Sequence, residues 1–160
     1  MDLKLQKELF QTLDERMKTI GVETRRVPGV DGIQVGDTLR FFVPVTDDGD
    51  PVLIELMVVN LTEEADMLQV FTTVLTGLEE EQFDRVHQAI EEWSSECPVG
   101  NYGIYAEERQ LYHKYGLLFF AERDVERMAD AAFNVLMLLY EMLCSHYPEI
   151  VKCAMGEEKV

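Results

Sequence analysis

The spacing of apolar residues changes along the chain between a period typical of helices and one typical of strands. From Leu9 to Ile20 apolar residues recur every three or four positions, and Gly21 follows as a stop signal. From Leu39 the period falls to two, and residues 52–61 alternate again after an acidic turn. A further strand is predicted from Met67 to Leu75. The first half therefore predicts one helix followed by three strands.

The segment from Val22 to Thr38 shows no clear period. The turn signals Val27-Pro28-Gly29 and Asp31-Gly32 predict a connection without regular structure. Pro44 lies in the strand that follows, and proline has no N–H group to donate to a neighbouring strand. The sequence therefore places that strand at an edge of the sheet near Pro44.

The second half repeats the change of period. A helix is predicted to begin at a capping box formed by Thr76 and Glu79, and two strands joined by a polar turn follow it. The last helix is predicted from about Asp124 to His146. The order α-β-β-β-α-β-β-α predicts an α+β fold, in which an antiparallel sheet of about five strands packs with three helices.

The predicted sheet and the last helix carry more apolar residues than one helix-on-sheet interface needs. The second face of the sheet would be polar if water covered it, but alternation places large apolar residues there: Phe42, Leu53, Met57, Val59 and Leu118. Two interpretations stay open: helices cover both faces, or one apolar face binds a second copy or a client protein.

We expect a homodimer because closed two-fold dimers are the commonest way to cover such a surface. The contact should be apolar at its centre, with acidic residues at its rim. Residues of the last two helices supply the candidate interface: Trp93, Phe133, Met137 and Tyr140.

Length and charge narrow the class of protein. The 160 residues fit one domain, 1–160, and the 31 acidic residues against 14 basic ones give a net charge of −17. Such a charge repels nucleic acid and anionic membranes. The longest apolar run, Val135 to Tyr140, is too short to span a bilayer, and the N-terminus lacks the apolar region of a signal peptide. We therefore expect a cytoplasmic protein, with its three widely spaced cysteines reduced.

The groups that could bind a metal form no closed ligand set. Asp84, His87 and Glu91 fall on one side of the second helix, but a solvated helix face explains them better than a metal site. Cys144 and His146 are two residues apart and do not face each other on a helix. His146 is instead expected to interact with the C-terminal dipole of the last helix. We expect neither a metal nor a cofactor.

No catalytic motif is present. Cys97 lies on an apolar helical stripe and is interpreted as a small core residue, and His113 as a packed or edge histidine. One alternative stays open, a small enzyme or ligand-binding domain with a cleft between helix and sheet. Convergent polar groups in that cleft would favour it, whereas a flat apolar patch would favour protein binding.

The order of elements resembles the type III secretion chaperone-like fold. The C-terminal half also resembles the YbjN-like family, described broadly as bacterial sensory transduction regulators. The resemblance rests on Asn101-Tyr102-Gly103-Ile104-Tyr105, the strand from Tyr112 to Phe120, the long helix after it and Tyr147-Pro148-Glu149-Ile150 closing that helix. It implies dimerisation and a protein-interaction role without shared catalytic residues. We therefore expect a non-catalytic protein-binding module of bacterial origin, chaperone-like or regulatory, for a client or regulatory partner.

Overall fold

The described part of the chain folds as an α+β domain. A computed structural model describes residues 1–29, 36–49 and 51–156. Within these ranges three helices and six strands follow the order α-β-β-β-β-α-β-β-α. The helices are α1 (Leu3–Thr19), α2 (Glu80–Glu96) and α3 (Val125–Met155). The strands are β1 (Thr24–Val27), β2 (Thr38–Pro44), β3 (Pro51–Asn60), β4 (Ala65–Thr76), β5 (Asn101–Tyr105) and β6 (Gln110–Phe120).

The strands form one antiparallel sheet in the order β1-β2-β3-β4-β6-β5. The hairpin β5–β6 returns so that β6 pairs with β4 and β5 becomes an outer strand. On the helical side, α3 contacts both α1 and α2. The core lies between these helices and the sheet face that holds Phe41, Ile54, Leu68 and Leu111.

Strand β1 corrects the prediction that residues 22–38 lack regular structure. Thr24 lies opposite Phe41 of β2, and its hydroxyl donates a hydrogen bond of 2.5 Å to the Asp14 carboxylate on α1. The strand has only four residues, so its alternation is too short to be recognised from sequence. The turn signal at Asp31-Gly32 lies outside the described residues.

The short β1 also explains how Pro44 is accommodated. Because β1 begins at Thr24, opposite Phe41, the last residues of β2 have β3 on one side and no described strand on the other. Pro44 itself lies opposite Pro51. The predicted edge position is therefore confirmed locally, although β2 is an inner strand over the rest of its length.

Helix α2 begins later than predicted. Thr76 is the last residue of β4, and Gly77 turns the chain with a φ of +74°. The N-cap is Glu79, whose backbone N–H donates a 2.7 Å hydrogen bond to the Gln82 side chain. The Thr76 prediction is wrong because the strand pairing with Gln110 holds that residue in the sheet.

Helix α3 continues nine residues past the predicted end at His146, through Pro148 to Met155. Proline inside a helix costs about 3 kcal/mol because it removes one backbone hydrogen bond. Tyr147 and Ile150 are buried on either side of it, which offsets this cost. The Arg85 side chain also donates hydrogen bonds to carbonyls of the last turn, at 2.6 and 3.0 Å. The prediction that residues 147–150 close the helix is therefore wrong.

Candidate functional site

The sheet has one face that no helix among the described residues covers. Alternation places one set of side chains of each strand in the core and the other set on this second face, where none of the large apolar residues belongs to the core cluster. Phe42, Leu118 and Phe120 are exposed by 62%, 46% and 70%. We call this surface the bare sheet face, and its large apolar residues are Phe42, Leu53, Met57, Val59, Met67, Phe71, Tyr105, Tyr112, Leu118 and Phe120.

The strand register makes these residues contiguous. Phe42 lies opposite Leu53, and Val59 lies opposite Met67, which in turn lies opposite Leu118. Residues directly opposite on one face of an antiparallel pair have Cβ atoms about 4.5–5.5 Å apart. Phe71 lies diagonal to both Leu53 and Met57, so it connects the two groups across the row that holds Arg40 and Glu55. The bare sheet face is therefore apolar except for that charged row. Within the described residues the helices pack on one face of the sheet, which favours the interpretation of an apolar face free to bind a partner over that of helices on both faces.

Three stacked aromatic rings flatten one end of the bare sheet face. The ring centroids of Tyr105 and Tyr112 are 4.4 Å apart, and those of Tyr112 and Phe71 are 5.3 Å apart, with interplanar angles of 25° and 21°. A Cβ atom at Gly103 would approach Tyr112 to 2.5 Å, so glycine leaves room for that ring to lie across β5. No pattern along the sequence predicts this stack, because its three residues lie on three different strands.

The charged residues that the described strands bring to the bare sheet face are mostly basic, whereas the chain as a whole is strongly acidic. Glu55 is the one acid among the described strand residues on this face, and it forms a 2.5 Å ion pair with Arg40. Arg25 lies opposite Arg40, and Lys114 lies opposite Phe71. Although the chain has a net charge of −17, its described strands therefore bring almost no acidic residues to this surface.

The structure separates the four residues of the predicted interface. Trp93 is 1% exposed and lies in the core, so its ring has almost no surface to offer a partner. Phe133 is half-buried and packs against the core. Met137 and Tyr140 are half-buried on α3, where both line a hollow.

That hollow lies between the helices and the sheet. A small enzyme or ligand-binding domain, the alternative function, would have its cleft at this position. Its volume is about 340 Å³. Its walls are Met17, Ile20, Gly21, Val22, Phe41, Val43, Pro44, Ile54, Leu136, Met137 and Tyr140. Among these described lining residues the Tyr140 hydroxyl is the one polar side-chain group, so they bring no set of convergent polar groups to the hollow.

A buried cluster of histidine and tyrosine lies where β5 and β6 meet α2 and α3. His113 is 0% exposed, and its Nε2–H donates a 2.8 Å hydrogen bond to the Val99 carbonyl. The Tyr102 hydroxyl is 3.1 Å from Nδ1 of His146, whose Nε2 is 3.9 Å from a Glu96 carboxylate oxygen. His146 therefore interacts with Tyr102 and not with the end of α3, because the helix continues to Met155.

Burial shifts the pKa values of titratable groups in and beside this cluster. It lowers the pKa of His113 to about 4, and it raises the pKa of the Tyr102 hydroxyl. Burial also raises the pKa of the Cys97 thiol to about 11, whereas a nucleophilic cysteine needs a lowered pKa. These directions favour packed, neutral side chains, as the sequence suggested for Cys97 and His113.

The candidate metal ligands of α2 are exposed on its solvent face: Asp84, His87 and Glu91. Across residues 1–29, 36–49 and 51–156, no three His, Cys, Asp or Glu side chains form a group that could hold a metal ion.

Helix α3 is long and apolar enough to cross a membrane by length and composition alone. Ten of its residues, among them Leu139 and Ile150, are nevertheless buried against the rest of the protein. A single helix of this kind is weak evidence for a membrane span, because the core helix of a globular domain has the same properties. Its packing explains its apolar composition.

Comparison of the chain with protein-family models finds no match, and comparison with curated proteins finds none either.

Proposed function

We propose that the chain is a non-catalytic protein-binding module, chaperone-like or regulatory, that acts as a homodimer through its bare sheet face. The observation that carries the proposal is the mostly apolar surface from Phe42 to Phe120 on one side of the sheet. Exposed apolar patches of this kind mark interaction sites on stable proteins.

The size of the bare sheet face suits a stable contact. Strands lie about 4.8 Å apart and rise about 3.3 Å per residue, so the face measures about 25 by 30 Å. Specific interfaces of standard size bury about 800 Å² on each partner. Two copies that cover this face completely would reach that size.

The charge distribution favours a second copy as the occupant. Two chains with a net charge of −17 repel each other least where acidic residues are fewest, and the described strands bring only Glu55 to the bare sheet face. A two-fold axis also allows Arg40 of one copy to approach Glu55 of the other. The contact would then be mostly apolar, with Arg40 and Glu55 paired inside it and the other acids of the described strands outside it.

The proposed fold family and the proposed bacterial origin rest on sequence resemblance. The proposed role agrees with a type III secretion chaperone-like fold and with a YbjN-like bacterial regulator, both of which imply dimers that act by protein contact. It also agrees with a cytoplasmic protein that binds neither nucleic acid nor membrane. The alternative of an enzyme with a cleft between helix and sheet has less support, because apolar groups line the hollow at that position.

The proposal predicts that Leu118→Glu weakens self-association by about 100-fold, since a carboxylate placed in an apolar contact would be buried without a partner. The matched control is Leu138→Glu on α3. Both leucines are exposed, by 46% and 40%, but Leu138 lies outside the bare sheet face. Analytical ultracentrifugation measures the dimer dissociation constant, and circular dichroism checks that each variant is folded.

A second variant, Phe42→Glu, tests the same face from β2 and should also dissociate the dimer. If Leu138→Glu dissociates the dimer and Leu118→Glu does not, the contact lies on α3 and the bare sheet face is not the interface.

A further inference from the structure

A second hollow adjoins the apolar one. It has a volume of about 460 Å³, and it shares the walls Pro44 and Tyr140 with the first. Its lining residues come from the turn between β2 and β3 and from α3: Pro44, Val45, Thr46, Asp47, Asp48, Tyr140, Cys144 and Pro148. The shared walls join the two hollows into one depression.

The depression follows α3. Met137, Tyr140, Cys144 and Pro148 recur at intervals of three or four residues, which places them on one side of the helix. At a rise of 1.5 Å per residue they span about 16 Å. The end of β2 and the turn after it form the opposite wall. We call this depression the α3 groove.

The two ends of the α3 groove differ in chemistry. The end around Met137 and Leu136 is apolar, whereas Asp47 and Asp48 stand exposed at the other end. The described residues that line the two hollows include no lysine or arginine. An anionic ligand would therefore meet two unscreened carboxylates in a strongly acidic protein, and a cationic one would be attracted.

We propose that the α3 groove binds a short segment of a partner protein in which large apolar side chains lie next to lysine or arginine. The apolar side chains fill the hollow beside Met137, and the cation lies against Asp47 and Asp48. A hollow of about 340 Å³ is near the lower limit for small-ligand pockets, which begin at about 300 Å³. One or two apolar side chains suit that size better than a large ligand does.

This proposal rests on the proposed function, because it names the chemistry of the partner. It uses a different surface from the dimer contact. The α3 groove lies on the helical side of the sheet, and its residues Phe41, Val43 and Ile54 point away from the bare sheet face. Loss of peptide binding and loss of dimerisation can therefore be measured separately.

The test uses three fluorescein-labelled peptides with the sequences Gly-Phe-Leu-Lys-Arg-Gly, Gly-Phe-Leu-Glu-Glu-Gly and Gly-Ser-Ser-Lys-Arg-Gly. Fluorescence anisotropy in 150 mM salt measures their binding to the full chain. We expect the first peptide to bind at least ten times more tightly than either of the others. Met137→Ala and the double variant Asp47→Asn, Asp48→Asn should each weaken its binding about five-fold.

The control is the double variant Glu63→Gln, Glu64→Gln. It changes the net charge equally, at an exposed turn beyond the opposite end of β3. It should leave peptide binding unchanged, and none of the variants should change the dimer dissociation constant. Three results would overturn the proposal: equal binding of the three peptides, no binding at millimolar concentration, or an equal loss in the Glu63, Glu64 control. A wild-type chain that binds the first peptide as a monomer would overturn the dimer alone.

Discussion

Replacing Trp93 by alanine is expected to lower the free energy of unfolding by about 3–5 kcal/mol, the usual range for a buried aromatic residue. The indole is 1% exposed and packs edge-to-face with Tyr102 at a centroid distance of 6.0 Å. Its removal leaves a cavity between α2, β5 and the sheet. Urea denaturation measured at one protein concentration gives the free energy.

The matched control for Trp93 is Phe120→Ala. Phe120 is also aromatic but is 70% exposed on the bare sheet face, so its removal should change the monomer's stability by less than about 1 kcal/mol. It should instead weaken the dimer. If Trp93→Ala kept full stability and weakened association, Trp93 would belong to the interface, as the sequence first indicated.

The free energy of unfolding is also expected to fall as the pH drops from 6.5 to 4, because of His113. Burial is the main reason that the pKa of this histidine in the folded chain falls from 6.5 to about 4, and it outweighs the hydrogen bond to Val99, which raises the pKa. In this pH range the unfolded chain therefore binds a proton that the folded chain excludes. A pKa shift of this size makes the free energy of unfolding about 3 kcal/mol larger above pH 6.5 than below pH 4.

Carboxylates also titrate in acid, so the test compares variants. In His113→Gln the amide can still donate to the Val99 carbonyl, but the group that titrates is gone. The variant should lose less stability than the wild type between pH 6.5 and 4. His87→Gln is the control, because His87 is exposed on α2. Equal pH slopes in all three proteins, or an NMR titration of His113 near pH 6.5, would contradict the prediction.

The spacing of apolar residues correctly predicted those helices and strands that depend mainly on their own residues. The stripe from Leu9 to Met17 gives α1, and the alternation around Phe41 and Ile54 gives β2 and β3. Elements held by distant partners were missed or cut short. Strand β1 depends on pairing with β2, and the end of α3 depends on Arg85 of another helix.

The candidate site was predictable to the same extent. Alternation alone places Phe42, Leu53 and Met57 on one face, because the side-chain period of a strand is two. Whether helices cover that face depends on where the connecting loops place the helices. The spacing of apolar residues along the sequence does not determine that placement. Trp93 was placed near a possible contact because the chain has surplus apolar residues, and in the structure the face of α2 that holds it packs against the core.

The aromatic stack could not be predicted for a further reason. It requires β5 to pair with β6, and it requires Gly103 to leave room for the Tyr112 ring. Neither condition can be recognised from the spacing of Phe71, Tyr105 and Tyr112 along the chain.

The central claim is that the bare sheet face holds two copies of this chain together. Sedimentation equilibrium of the wild-type protein, over a range of protein concentrations and at low and high salt, tests it most directly. We expect a monomer–dimer equilibrium that shifts towards the dimer as salt rises, because salt screens the repulsion between two chains of net charge −17. A monomer at high protein concentration and high salt would contradict the claim.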